Sequence, residues 1–176
     1  MNTFFLLTIS IITLVITSIS IENLEMNKHK SENETTYYLI RHAEKVISAT
    51  DKDPKLSEDG IIRASKWAQF FQDIELDEIY STNYKRTNST ATPTAESKNL
   101  VVKVYSPKDL LSNQFKESTK GKTVLVVGHS NTIPFLANFL IQEEKYPELD
   151  ESEYSWVYKI SLDTNGKAIS EARKIE

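Results

Sequence analysis

"KTVLVVGHSNTIPFLANFLIQ", Lys122–Gln142, decides the fold. Val124 to Val127 are four apolar residues in a row, with no polar residue between them. An antiparallel strand with one wet face alternates; an unbroken β-branched run belongs to a strand covered on both sides, as in a parallel sheet. Gly128 ends the run and His129, Ser130 and Asn131 follow at once. The segment from Thr132 to Gln142 is then an apolar helix. A strand running straight into a helix is half of a βαβ unit, and such units build open parallel sheets.

The same alternation extends outward in both directions. "TYYLI", Thr36–Ile40, is short and rich in aromatic and β-branched residues, so it reads as a strand. "ISATDKDPK" is a loop, and "LSEDG" offers Ser57 as a helix N-cap. Ile61, Ala64, Ala68 and Phe71, widened by Ile62 and Trp67, make a helical stripe expected to face the core. A second strand is expected over Glu78–Ser81. A helix is expected from about Tyr84, with Pro93 kinking it or marking a new start. "LVVKVYS" is a third strand, and "PKDLLSNQFKEST" a loop with a short helix. "WVYKISL" and "KAISEARKI" flank "DTNG", a hairpin signal. No internal repeat is visible. The order predicts a three-layer α/β/α sandwich with a mostly parallel central sheet.

Three of these strands end in one chemical theme. The first ends in Arg41-His42, the second carries Arg86 into the next helix, and the fourth ends in Gly128-His129-Ser130. In open α/β sheets, ligands sit outside the carboxyl ends of the strands. Two guanidiniums and two imidazoles would then converge on one pocket. Guanidiniums bind phosphate or carboxylate in fork geometry. Helix N-termini add backbone N–H groups. An imidazole with one bare nitrogen can attack phosphorus, while a protonated one stabilises the equatorial oxygens.

"LIRHAEK", "YSTNYKRTNSTA" and "VLVVGHSNTIP" together resemble the three signature segments of the histidine phosphatase superfamily, the phosphoglycerate-mutase-like phosphatases. The short form is similar to the small phosphohistidine-phosphatase-like branch. The resemblance covers about Tyr37 to Gln142. It implies that His42 is a nucleophile forming a phosphohistidine intermediate. It also implies that Arg41 and Arg86 bind the phosphoryl oxygens and that His129 completes the pocket, with no metal or other cofactor. Ala43 stands where many members have glycine, a small departure expected to be tolerated. For the proton donor, the resemblance points to Asp109 in "SPKDLL", with Glu44 as rival. Ser130 and Asn131 either donate to phosphate or cap the following helix. Tyr80, Tyr84 and Trp67 are read as packing residues, and the acidic run Glu143–Glu153 as a solvated loop that borders the pocket mouth.

Bulk composition narrows the function class. Hydrophobic residues are 39% and charged residues 26%, a globular balance rather than a disordered one. The net charge of -4 argues against a nucleic-acid partner. There is no cysteine, which removes thiol nucleophiles and disulfides. The two domain histidines lack H-x-x-x-H or H-x-H spacing, which argues against a metallohydrolase. Phe4–Ser20 is apolar, uncharged and followed by a polar linker that includes His29. Residues 1–20 are therefore expected to be a signal peptide or membrane anchor, 21–35 a linker, and 36–176 the catalytic domain. The expected setting is exported, periplasmic or secreted, with membrane contact only if the segment stays uncleaved. The expected partner is a small phosphorylated substrate or a phosphohistidine protein. A non-catalytic anion-binding module and a phosphomutase are the competing functions.

Overall fold

The structure, a computed structural model, describes residues 34–175. The expectations for residues 1–20, and nearly all of the linker, lie outside the described residues. Among those described, no helix is long and apolar enough to cross a membrane.

Six strands form one sheet. They are β1 (Thr35–Arg41), β2 (Glu78–Thr82), β3 (Val102–Tyr105), β4 (Thr123–Gly128), β5 (Trp156–Leu162) and β6 (Ala168–Lys174). Their spatial order is β3-β2-β4-β1-β5-β6. β1, β2, β3 and β4 run parallel, and β5 and β6 are antiparallel additions. The helices are α1 (Glu58–Phe70), α2 (Lys85–Lys98), α3 (Asn113–Ser118) and α4 (Thr132–Ile141), with a 3-10 turn at Asp109–Leu111.

The unbroken apolar run of β4 has the expected cause. Val124 and Val126 join a core with Phe115, Ile133, Leu136 and Leu140, under α3 and α4. Leu125 and Val127 point the other way, into a core with Trp67, Phe71, Ala91 and Ala95 of α1, α2 and the turn after α1. Successive strand residues face opposite sides, so only a strand sandwiched between two helical layers needs every position apolar. β1 is divided the same way, with Tyr37 and Leu39 on one face and Ile40 on the other.

Two local expectations are corrected. In α1 the buried line is Gly60, Ala64 and Trp67, continued by Phe71, while Ile61 and Ile62 are exposed. Small residues let α1 approach the chain closely, and the larger isoleucines are turned outward. Pro93 neither breaks nor restarts α2, which is one helix through it. The same helix is back-bonded by its threonines: Thr90 Oγ1 donates to the Arg86 carbonyl (2.7 Å) and Thr92 Oγ1 to that of Asn88 (2.8 Å). Ser57 is the N-cap of α1 as expected, accepting from Gly60 N–H at 3.2 Å.

The loop between β1 and α1 is pinched at its base. Val46 N–H donates to the Lys55 carbonyl at 2.9 Å, and Ser57 N–H to the Glu44 carbonyl at 2.9 Å. A Cβ on Gly60 would overlap the Glu44 carbonyl oxygen. Gly60→Ala is therefore expected to lower stability by about 1–3 kcal/mol, the cost of overpacking a backbone contact. Urea unfolding of the variant beside the parent checks this.

Candidate active site

Register sets the site. In the β1–β4 pair Arg41 lies level with Gly128, and in the β2–β4 pair Ser81 lies level with Val127. Three neighbouring parallel strands therefore end together at Arg41, Thr82 and Gly128. The next residues on two of them are the histidines. His42 N–H continues the ladder to the Gly128 carbonyl at 2.9 Å, which locks the strand ends together. The His42 and His129 ring centroids are 5.4 Å apart at 68°.

Hydrogen bonding chooses the tautomer of each ring. His42 Nδ1 is 2.8 Å from the carbonyl oxygen of Ala43. A carbonyl only accepts, so Nδ1 carries the proton and Nε2 keeps its lone pair. For His129, Nε2 meets Thr82 Oγ1 at 3.0 Å. The Thr82 hydroxyl donates to Thr87 Oγ1 at 2.9 Å, and Thr87 in turn donates to the Thr82 and Tyr84 carbonyls. With its proton committed, Thr82 accepts from His129, so Nε2 is the donor there.

Both imidazoles are held neutral at neutral pH. Burial, then the Arg41, His129 and Arg86 charges, bring His42 down to about 3, against a smaller opposing pull from the Ala43 carbonyl. Burial, Arg86, Arg41 and Lys45 bring His129 down to about 4.

Arg41 is a fully buried guanidinium at 1% exposure. Its Nη1 donates to the carbonyls of Asp150 (2.8 Å), Glu151 (3.2 Å) and Glu153 (3.1 Å), and Nη2 to Glu151 Oε2 (3.1 Å). The Tyr154 ring lies 4.2 Å from its carbon centre and 6.0 Å from the His42 ring. Arg86 sits at the start of α2 beneath the Tyr84 ring at 4.3 Å, with Nη1 3.4 Å from Asp53 Oδ1. Tyr84 also meets the His129 ring edge-on at 5.2 Å, so it is a wall of the site rather than a core residue. The Nε atoms of both arginines are buried and have no partner among the described residues. A buried unpaired donor on a cation is costly, and two beside the histidines mark a place built for an anion.

The remaining expected residues fall as follows. Ser130 Oγ does not cap α4; it lies 3.4 Å from Glu151 Oε1. Ala43 is buried with Leu56 and Ala64, and its N–H donates to Thr90 Oγ1 at 2.9 Å, so the extra methyl is absorbed by small neighbours. Glu44 has both carboxylate oxygens on Arg63 Nε, at 2.7 and 3.0 Å. Asp109 is exposed on the 3-10 turn after the edge strand β3, and its carboxylate accepts from Ser106 N–H at 3.0 Å. The fold thus gathers Arg41, His42, Arg86, His129 and Ser130, while the carboxylates of Glu44 and Asp109 are engaged elsewhere.

The residues that sequence reasoning missed are Thr82, Thr87, Thr90, Asp53, Glu151 and Tyr154. Thr87 and Thr90 had a signal in the hydroxyl-rich "RTNSTATPT" run, on whose helix Thr90 Oγ1 donates to the Arg86 carbonyl and accepts from Ala43 N–H.

The two neutral histidines set a pH dependence. Between the ordinary histidine value of about 6.5 and the folded values of about 4 and about 3, the unfolded chain binds protons that the folded chain refuses. Stability contributed by the neutral rings is present above that window and is lost as pH falls through it. His42→Gln and His129→Asn are each expected to flatten this acid loss, measured as the change in urea midpoint on acidification.

The family model for the histidine phosphatase superfamily (branch 1) matches residues 37–110. No curated protein sequence matches the chain. Among solved structures, the protein histidine phosphatase SixA complexed with tungstate is similar at TM-score 0.67 and 17% identity, covering 79% of this chain and 96% of that one. A mycobacterial glucosyl-3-phosphoglycerate phosphatase is similar at TM-score 0.64 and 14% identity, covering 81% and 100%. A phosphoglycerate mutase from Bacillus anthracis is similar at TM-score 0.62 and 18% identity, covering 82% and 95%. At these identities the likeness is one of fold, and it agrees with the sandwich and the sheet. The matched segment runs from β1 through the Arg86 turn into the 3-10 turn at Leu110, and so carries Arg41, His42 and Arg86.

Proposed function

We propose that this chain is a metal-independent phosphatase that transfers a phosphoryl group to His42 and then to water. The observation that carries the reading is the bare Nε2 of His42, oriented by the Ala43 carbonyl, at a site where Arg41 and Arg86 each keep a buried Nε with no partner among the described residues. Nε2 attacks phosphorus and the bond to the leaving oxygen breaks, its electron pair departing with that oxygen. Water then attacks the phosphohistidine, and the pair of the N–P bond returns to Nε2. Arg41 and Arg86 offer their free Nε–H groups to the phosphoryl oxygens. The dianion reverses the electrostatics that kept His129 neutral, so its ring takes up a proton and adds a positive charge.

The low value of His42 suits this role, because the nucleophile stays unprotonated through the whole neutral range. Structures of similar fold include a protein histidine phosphatase and a glucosyl-3-phosphoglycerate phosphatase, which supports a hydrolytic reading, and a phosphoglycerate mutase, so the fold leaves the leaving group open. The small phosphohistidine-phosphatase-like branch is the nearest description of the chain. We further propose that the domain is exported on the apolar segment Phe4–Ser20.

Turnover of an aryl phosphate is expected to persist in EDTA. An acid-labile, base-stable phosphoenzyme is expected in the parent and none in His42→Ala, whose kcat/KM falls by more than about a thousandfold. Chelator-abolished turnover, or a phosphoenzyme that survives in His42→Ala, sinks the reading. Arg86→Ala is expected to cost about a hundredfold or more in kcat/KM, the size of losing one donor to transition-state charge.

A further inference from the structure

The transfer to His42 leaves one requirement unmet, a proton for the departing oxygen. Four carboxylates are candidates, and their partners separate them. Glu44 is held on both oxygens by Arg63, which also places Nη2 2.7 Å from Oε1. Asp109 is spent on the backbone N–H of Ser106 beside the edge strand. Asp53 touches Arg86, but its two oxygens accept from Lys85 N–H at 3.0 and 3.2 Å, closing the start of α2. Moving it would uncap a helix.

Glu151 differs from all three. Its carboxylate has side-chain partners only: Arg41 Nη2 at 3.1 Å, Lys45 Nζ at 3.7 Å and Ser130 Oγ at 3.4 Å. Its side chain is 72% exposed although the guanidinium it meets is buried. The segment that carries it is anchored independently, because the carbonyls of Asp150, Glu151 and Glu153 all accept from Arg41 Nη1. The strap can stay in place while the carboxylate alone swings.

We propose, resting on the phosphatase reading above, that Glu151 is the proton donor to the leaving group. Its carboxylate sits on the donors that a phosphoryl oxygen will take, Arg41 Nη2 and Ser130 Oγ. An incoming phosphoryl group displaces it from Arg41 Nη2 and Ser130 and leaves it one side-chain swing away, beside the new dianion. The charge balance around it then inverts. Burial raises the carboxyl, yet Arg41 and Lys45 outweigh it and hold Glu151 low. A dianion in place of a shared guanidinium favours the protonated form.

Glu151 takes a proton from solvent as the phosphoryl group binds and returns it to solvent after phosphate leaves, and within the cycle the proton and electron count closes. As Nε2 of His42 forms the N–P bond, the P–O bond breaks with its pair on the leaving oxygen, which takes the proton of Glu151. In the second step the Glu151 carboxylate takes a proton from the attacking water. The N–P bond breaks with its pair on Nε2, and phosphate departs from a site with Glu151 protonated again.

Leaving groups test this, because a good one needs no proton. The full chain and Glu151→Gln are compared on 4-nitrophenyl phosphate and on a simple alkyl phosphate. The variant is expected to lose about 10²–10⁴-fold in kcat/KM on the alkyl ester, the range of general acid catalysis, and less than about tenfold on the nitrophenyl ester. Its phosphoenzyme still forms from the nitrophenyl ester, and Glu151→Asp recovers part of the alkyl activity. Equal losses on both esters would show a structural role and overturn the proposal. Gains on both would show a carboxylate that merely competes with substrate, and would also overturn it. A parent chain that turns over neither ester overturns the phosphatase reading as well, whereas parent turnover with a symmetric variant overturns the proton donor alone.

Discussion

The parallel pairing of β1 with β4 is the constraint on which the rest of the molecule depends. Arg41 beside Gly128, and His42 N–H on the Gly128 carbonyl at 2.9 Å, put the two imidazoles on adjacent strand ends. A slip of one residue would turn every side chain of β1 to the opposite face. Tyr37 and Leu39 would then leave the α3–α4 core, and Ile40 the α1–α2 core. The hydrophobic division of the two layers therefore protects the register, and the register is what makes the site.

Buried charge is handled unevenly, and the unevenness has a use. Arg41 is satisfied on Nη1 and Nη2 by a strap following α4, while its Nε and that of Arg86 have no partner among the described residues. The strap orients a group that would otherwise be costly to bury, and it leaves one donor edge for a ligand. Neutral histidines suit the same economy of charge, since two guanidiniums already supply the positive field that an oxyanion needs.

Much of this was legible in the residues. The four-residue apolar run of β4 announced a strand covered on both faces, and the alternation of strands with helices announced the sandwich. Arg41, His42, Arg86 and His129 were visible because each follows an identifiable strand, and strand ends in parallel sheets meet. The outward Ile61 and Ile62 were not, because a helical stripe names apolar positions without saying that Gly60 must face the chain. Glu44 was attractive through its nearness to His42 in sequence, yet Arg63 on α1 claims its carboxylate, a contact that only the packing of α1 against this loop creates.

By itself the sequence determined the layer order, the parallel sheet and the residues standing at its strand ends, because periodicity and strand-to-helix punctuation are local properties. The tertiary structure decided which carboxylates reach those residues. Asp53 arrives through a loop pinched between Val46 and Lys55, and Glu151 through a strap beyond α4 that sits more than a hundred residues from Arg41 in the chain. Neither approach leaves a periodic trace. The contact exists only because a buried guanidinium must be hydrogen-bonded, and the fold brings that one acidic segment within its reach.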